Sequence, residues 1–406
     1  MRLIRSAQIA AAVAALSLAA ACTTASTSDD AGSDGIQDAS GKAVTSDETY
    51  KLGLGLPLTG AAAAYGTEYR NVVEMAIDDV NEQYAADGIQ LELVTADTQA
   101  TAEGGVSAMN KLGAVDKAPA VLTGWGTVLQ ATIPIAADLD FAILNAGVQN
   151  TSLIGSSPDL VNLLPMNQAM FEDFADYLVN ERGFKTFAYV AIDTDTGQEA
   201  AKEFAAAVEA EGGKLVATES IRQDATDATA QIAKIKSADP DFMYFHTLLV
   251  DGSSVMKAVR EADLRAEVGS YNAVGEARLI RDAGGDKSNG LLYVSHLPSD
   301  IAGVKTLLTD LGAKMKGTGL VNQSYDPYWY SAPFLYAEAI KRLRAEGAPV
   351  TGSNITAVLG ETKDIEVPIL GPVDLTDQLT YKTPTTIREI KDYKGEPLDD
   401  ETVAGG

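Results

Sequence analysis

Residues 52–66 read Leu-Gly-Leu-Gly-Leu-Pro-Leu-Thr-Gly-Ala-Ala-Ala-Ala-Tyr-Gly, an apolar run that stops at a proline and continues into a loop of small residues. Pro57 has no backbone N–H to give to a sheet, so the predicted strand Leu52–Leu56 ends there. Apolar residues at helical spacing follow, and they predict a helix from about Thr67 to Tyr84. The order strand, loop, helix is the repeating unit of α/β proteins.

The same alternation recurs along the chain. Short apolar runs predict further strands at 89–93, 120–122, 141–144, 187–192, 214–217, 242–245 and 291–294. A capping box predicts that one helix starts at Thr127, and Thr196 with Glu199 predicts the cap of a second helix over 198–211. Short connections between alternating elements predict parallel sheets covered by helices. Since single cores stop growing near about 250–300 residues, the 406 residues predict two such units.

Charge and composition exclude several classes of function. The chain carries a formal charge of −26, so its surface repels nucleic acid. Its single cysteine, Cys22, excludes an intrachain disulfide, and its two histidines, His246 and His296, leave metal sites short of their usual ligands. Two carboxylates in one loop, Asp193 and Asp195, are too few for calcium and predict a turn. No metal and no cofactor are predicted.

Enzyme signatures are missing from the sequence. It contains no G-x-S-x-G, no G-x-x-x-x-G-K-[ST], no H-E-x-x-H, and no G-x-G-x-x-G after a strand. An enzyme with a Ser–Lys or paired-carboxylate active site would have no such sequence signature, so this alternative stays open. The prediction is a protein that is not an enzyme.

The N-terminus predicts export and a lipid anchor. Arg2 and Arg5 precede an apolar run too short for a membrane span, so residues 1–21 are predicted to be a signal peptide. The following Cys22 sits in a sequence that resembles a bacterial lipobox, although Ala19 stands where the usual leucine would be. Ordinary cleavage with Cys22 as a bystander is the alternative. Residues 22–47, poor in large apolar side chains, are predicted to be a flexible tether on the extracytoplasmic face of a membrane.

Three loops are predicted to carry the site. In open parallel α/β sheets, ligands bind beyond the carboxyl ends of the strands, where helix N-termini offer unpaired N–H groups. This rule selects the loops Pro57–Gly66, Gly124–Thr127 and Asn145–Ser152.

These loops resemble those of a known family. Residues 58–66, Leu-Thr-Gly-Ala-Ala-Ala-Ala-Tyr-Gly, closely resemble the first loop of type I periplasmic binding proteins, nearest to the branched-chain amino acid (Leu/Ile/Val) receptors of ABC transporters. The resemblance covers roughly 48–345, and the part past 345 matches poorly. The other landmarks, in chain order, are Gly124-Trp125-Gly126-Thr127 with Pro134, Ile143–Val148, Asp193–Gln198, Gly290–Val294 and Tyr325-Asp326-Pro327-Tyr328.

The resemblance implies a fold and a function. Two α/β lobes with parallel sheets and flanking helices would be joined by three crossings, with lobe I at 48–166 plus 297–365 and lobe II at 167–296 plus 366–400. The chain would be a monomeric, extracytoplasmic solute-binding component of an ABC importer that closes on a small amino acid or a related carboxylate or amide. Its partner would be a membrane permease. A sensor of the same fold that signals to a membrane partner is the alternative.

The resemblance also implies which residues contact the solute. Thr127 and the amides from Gly126 would hold a carboxylate, Tyr65 would lie over the solute, and Trp125 would add a flat apolar surface. The third loop would contribute Asn145, Ala146 and Val148. Each has a purely structural alternative: packing at the helix start for Tyr65, filling of the lobe for Trp125, an N-cap for Thr127.

The second lobe departs from the family pattern. Thr196 stands where the family usually has a tyrosine, and Val148 stands near a usual threonine hydroxyl that Asn145 or Asn150 would replace. Tyr271 stands where an acid usually pairs with the ammonium of an amino acid. Glu276 is the acid predicted to take that role, with a surface helix as its alternative. Without it, the solute would be a carboxylate or amide that has no amino group. His246 is predicted to be a structural residue.

Overall fold

The computed structural model describes residues 48–272, 277–297, 302–316, 320–321, 323–391 and 394–397. A first sheet of five parallel strands has the order β2-β1-β3-β4-β5. Its strands are β1 (Glu48–Leu56), β2 (Ile89–Asp97), β3 (Ala120–Thr123), β4 (Ala142–Asn145) and β5 (Leu160–Asn162). The helices between them are α1 (Ala63–Gln83), α2 (Ala102–Asn110) and α3 (Gly126–Leu139).

The chain then builds a second parallel sheet. Its strands are β6 (Thr186–Ile192), β7 (Lys214–Ile221), β8 (Phe242–His246), β9 (Glu267–Tyr271) and β10 (Leu292–Ser295). The helices around it are α4 (Asn167–Asp176), α5 (Asp195–Ala210), α6 (Thr229–Ala238), α7 (Leu249–Ala262) and α8 (Arg278–Gly284). The predicted α/β architecture of parallel sheets flanked by helices is confirmed.

The C-terminal part of the chain contacts both sheets. It consists of α9 (Ala302–Lys314), α10 (Asp326–Glu346), α11 (Gly352–Glu361), β11 (Ile365–Val367), β12 (Gly371–Val373), β13 (Thr386–Lys391) and β14 (Lys394–Pro397). Helix α10 packs on α1 beside the first sheet. Strand β13 joins the second sheet antiparallel to β10, which completes the order β14-β13-β10-β9-β8-β6-β7.

The sequence predicts that the second lobe resumes at residue 366, whereas the hydrogen bonds of the chain place this change of sheet later. The Asn162 N–H donates to the Leu379 carbonyl at 2.8 Å, and the Tyr381 N–H donates to the Asn162 carbonyl at 2.9 Å. The chain up to Tyr381 therefore lies along the first sheet, and it reaches the second sheet only at β13. The sequence past residue 345 offers no landmark that signals this long-range pairing.

Three helix starts differ from the predictions. Helix α1 begins at Ala63 rather than near Thr67, because alanine is the best helix former and nothing in the loop interrupts it. Helix α3 begins at Gly126, with Trp125 as the N-cap residue and no side-chain cap, so the predicted capping box is wrong. The cap of α5 is Thr194 rather than Thr196, and its Oγ1 accepts the Gly197 N–H at 3.2 Å.

The predicted signal peptide, Cys22 and tether all lie outside the described residues. Among the residues that are described, no helix combines the length and the apolar character needed to cross a membrane.

Candidate functional site

A cavity of about 160 Å³ lies where the carboxyl ends of the two sheets meet. Seven of the ten residues predicted to contact a solute line it: Tyr65, Trp125, Gly126, Thr127, Val148, Thr196 and Tyr271. Asn145 and Ala146 do not line it, and Glu276 lies outside the described residues. The rule that ligands bind at the carboxyl ends of strands therefore locates the cavity correctly.

Tyr65 and Trp125 form one aromatic wall. Their rings meet edge to face with centroids 5.8 Å apart, and both side chains are half-buried. The Tyr65 hydroxyl accepts the Leu249 N–H of α7 at 3.4 Å, so a side chain of α1, beside the first sheet, reaches a helix that packs on the second sheet. Burial raises the pKa of Tyr65 to about 12, and the hydroxyl is neutral near pH 7.

Helix α3 presents free amides to the cavity. No acceptor within the described part of the chain pairs with the N–H groups of Gly126, Thr127 and Val128, as expected for an uncapped first turn. The Thr127 side chain is exposed, and its hydroxyl donates to the Ala100 carbonyl at 3.2 Å. The backbone of this turn, more than the threonine hydroxyl, is therefore available to an anion.

The N-terminus of α5 faces the same cavity from the second lobe. The amides of Asp195 and Thr196 also have no acceptor among the described residues. The two helices approach so closely that a methyl group on Gly126 would overlap Thr196 Oγ1. The N-terminus of α7 is not free in the same way. Its Asp251 carboxylate accepts the Leu248 N–H at 2.9 Å and occupies that helix end.

Asn145 shapes the third loop instead of lining the cavity. Its Oδ1 accepts the N–H groups of Gly147 at 3.2 Å and Val148 at 3.0 Å, while its Nδ2 donates to the Val148 carbonyl at 2.8 Å and to Asn162 Oδ1 at 2.9 Å. With all these bonds made and no exposed surface, Asn145 cannot also hold a solute. The alternative that Asn150 contributes an amide to the cavity agrees with its position in the lining.

His246 and Tyr271 form the aromatic wall of the second lobe. Their rings stack with centroids 4.6 Å apart and planes 15° apart. The Tyr271 hydroxyl donates to the Thr247 carbonyl at 2.6 Å. Burial lowers the pKa of His246 to about 4, so the imidazole is neutral at pH 7. His246 therefore lines the cavity, beyond the structural role predicted for it.

Several lining residues were not predicted from the sequence, among them Tyr69, Gln149, Asn167 and Tyr325. His246 ends a strand, so the strand-end rule would have selected it. Tyr325 was recognised only as a landmark, yet its hydroxyl donates to Gln149 Oε1 at 2.5 Å and holds the third loop. No residue in the described lining is an aspartate, glutamate, lysine or arginine.

The described lining residues form no metal cluster. No group of three or more His, Cys, Asp and Glu residues that could hold a metal ion occurs in the described ranges. Asp193 and Asp195 are exposed, and Asp195 opens helix α5.

Both histidines should titrate far below the usual value. Burial lowers the pKa of His246 and of His296 to about 4, against about 6.5 for an unfolded chain. Because the folded pKa is the lower one, the resulting stabilisation is complete above pH 6.5 and is lost as the pH falls towards 4. Ring C–H chemical shifts measured by NMR, assigned with His246→Gln, should show midpoints near pH 4. A midpoint near pH 6.5 for either ring would contradict its burial.

The fold and cavity define a class of two-lobed α/β binding proteins. A family model described as periplasmic binding protein matches residues 49–393, and the chain belongs to this family. An "Amino acid binding protein" from Pseudomonas aeruginosa is 27% identical over 293 residues, which is 69% of this chain and 75% of that protein. Family membership implies an extracytoplasmic location.

Solved structures share the fold. The branched-chain amino acid transporter substrate binding protein LivJ from Streptococcus pneumoniae, in complex with isoleucine, superposes with a TM-score of 0.73 at 20% identity, covering 86% of this chain and 98% of that one. A solute binding protein of an ABC transporter from R. palustris, in complex with benzoate, gives a TM-score of 0.72 at 19% identity, covering 86% and 96%.

Proposed function

We propose that the chain is the solute-binding component of an ABC importer, which captures a small amino acid or a related carboxylate or amide between its lobes. The observation that carries this proposal is the cavity into which α3 and α5 both direct free amides. Each helix N-terminus carries about half a positive charge, and together they suit a carboxylate. Relatives of the same family or fold include an amino acid binding protein and complexes with isoleucine and benzoate.

Capture would proceed by closure of the lobes. A solute that contacts α3 and α5 at once stabilises the closed arrangement over the open one, which shifts the population towards closure. We place lobe I at 48–166 plus 297–381 and lobe II at 167–296 plus 386–397, so the chain would cross between the lobes near 166, near 296 and at 382–385, and these three crossings would act as the hinge. The chain positions its residues for binding and does not act as an enzyme.

The partners follow from the same proposal. The closed form would dock on a membrane permease as a monomer, and Cys22 would carry the lipid anchor that keeps the protein near it. The solute would be handed to the permease, so the affinity of the chain for the solute must be low enough to allow its release there.

A latch between the lobes should contribute to affinity. Glu199 of α5 accepts Asn150 Nδ2 at 2.6 Å and the Ser152 N–H at 3.1 Å. Hydrogen bonds to charged groups are worth about 1.5–3 kcal/mol, so Glu199→Ala should raise the dissociation constant about tenfold or more by destabilising the closed form. The matched control is Glu209→Ala, an exposed acid on the same helix, which should leave calorimetric affinity unchanged. Equal affinities for both variants would remove the latch from the account.

A thermal-shift screen tests the proposed function. The chain beginning at Cys22 is heated with amino acids, amides, and aromatic and aliphatic carboxylates. A solute at 100 times its dissociation constant should stabilise the fold by about 2.7 kcal/mol and raise the melting midpoint. A screen in which no member of these classes moves the midpoint would contradict solute capture at this site.

A further inference from the structure

We propose that the solute is a monocyclic aromatic carboxylate without an ammonium group, a conclusion that rests on the proposed function and narrows it. The described lining joins three properties: the volume of one ring, aromatic walls from both lobes, and no acidic side chain.

The volume fits one aromatic ring. An apolar cavity of about 150 Å³ is sufficient for benzene. The cavity between the lobes measures about 160 Å³, so one ring with a carboxylate occupies most of it. Larger solutes such as a peptide or a disaccharide would require the lobes to part, which breaks the contact between Gly126 and Thr196.

The walls are flat and come from both lobes. Six aromatic rings line the cavity, and two pairs of them are already ordered against each other: Tyr65 with Trp125, and His246 with Tyr271. Aromatic pairs in edge-to-face or offset geometry contribute about 0.5–1.5 kcal/mol beyond the area that they bury. A planar ring between these walls would make such contacts with both lobes at once, whereas a branched aliphatic side chain would make none.

The described lining offers no carboxylate to an ammonium ion. The neighbouring carboxylates already have other roles: Glu199 and Glu203 hold residues 150–152, and Asp251 caps α7. The Tyr271 hydroxyl donates its proton to the Thr247 carbonyl at 2.6 Å. His246 lacks any charge at pH 7.

The electrostatic potential in the cavity also favours a solute without an ammonium group. The free amides of α3 and α5 make this end of the cavity positive, which favours a carboxylate and disfavours an ammonium group beside it. A buried unpaired charge is costly. For an amino acid, the cost of burying its ammonium group therefore offsets the binding free energy contributed by its carboxylate. Removing the amino group from an otherwise identical solute should therefore increase affinity.

Matched pairs of solutes test this inference by isothermal titration calorimetry at pH 7. Phenylalanine is compared with 3-phenylpropanoate, and isoleucine with 3-methylpentanoate, so that each pair differs only in the amino group. Benzoate is titrated as the single-ring probe. The expected result is that benzoate binds, and that each amine-free acid binds at least tenfold more tightly than its amino acid.

Two variants connect binding to the described residues. The chain has two tryptophans, so a benzoate-induced change in tryptophan emission that disappears in Trp125→Phe places the ring at this wall. Trp125→Ala should weaken benzoate binding at least tenfold. Glu209→Ala, at an exposed position of α5, should leave benzoate affinity unchanged.

The outcomes separate this inference from the proposed function. If amino acids bind more tightly than their amine-free partners and Glu276→Gln abolishes that binding, the inference is overturned and solute capture stands. Equal affinities within each pair overturn it as well. If no amino acid, carboxylate or amide binds, the proposed function itself fails.

Discussion

The Gly126→Leu substitution should weaken solute binding by about 10- to 100-fold while the ligand-free chain keeps its fold. Gly126 is the first residue of α3, and even a methyl group there would overlap Thr196 Oγ1 of the opposite lobe. Extra atoms in a packed contact cost about 1–3 kcal/mol, and each 1.4 kcal/mol is a factor of ten in affinity. The proposed closure brings α3 and α5 together at this contact, so the penalty should fall on binding. Calorimetry and thermal melting of the same sample separate the two effects.

Two further variants make this result specific. A methyl group on Gly312, in α9, would have no neighbouring atom within 4 Å, so Gly312→Leu should change neither binding nor fold. Thr196→Gly removes the opposing hydroxyl. Combined with Gly126→Leu, it should restore part of the lost affinity, and the double-mutant cycle then gives the coupling free energy between the two positions. Unchanged affinity in Gly126→Leu would show that the lobes do not close as described.

The Trp329→Ala substitution should lower the free energy of unfolding by about 3–5 kcal/mol, as large-to-small changes of buried aromatic residues do. Trp329 lies on α10, has no exposed surface, and stacks on Tyr69 of α1 with centroids 4.6 Å apart and planes 11° apart. It joins α10 to α1, the helix that follows the first loop. Since Tyr69 also lines the cavity, solute affinity should fall too.

Urea unfolding followed by circular dichroism measures this loss. Trp329→Phe retains a ring against Tyr69 and should lose distinctly less stability than Trp329→Ala. A loss below about 1 kcal/mol in Trp329→Ala, within the usual range of surface substitutions, would contradict the central position of this side chain.

Local sequence patterns predict the sheets and the place of the site well. The run 52–56, its closing proline and the recurring strand–helix alternation depend on neighbouring residues only. The cavity follows because parallel strands must end at one edge. Trp125, Tyr65 and Tyr271 are found in its lining for that reason.

Some errors arise where local hydrogen bonds decide, and others where distant residues decide. Asn145 has the chemistry of a ligand, yet local hydrogen bonds to the backbone of its own loop use that chemistry, a competition that residue type does not reveal. The helix start at Gly126 follows no capping pattern, since its N-cap residue Trp125 makes no side-chain cap. Residues 379–381 pair with Asn162 of the first sheet, a partner more than two hundred residues away.

The distance between the lobes tests the central claim, that solute binding and closure are one event. The chain carrying Cys22→Ser, Glu103→Cys on α2 and Lys202→Cys on α5 has exposed label sites on the two lobes. Electron–electron double resonance measures their distance with and without a saturating concentration of the solute that binds in the screen. If the lobes close on the solute, its binding should shift the distribution to shorter distances. An identical distribution in a sample that calorimetry shows to be saturated would contradict it.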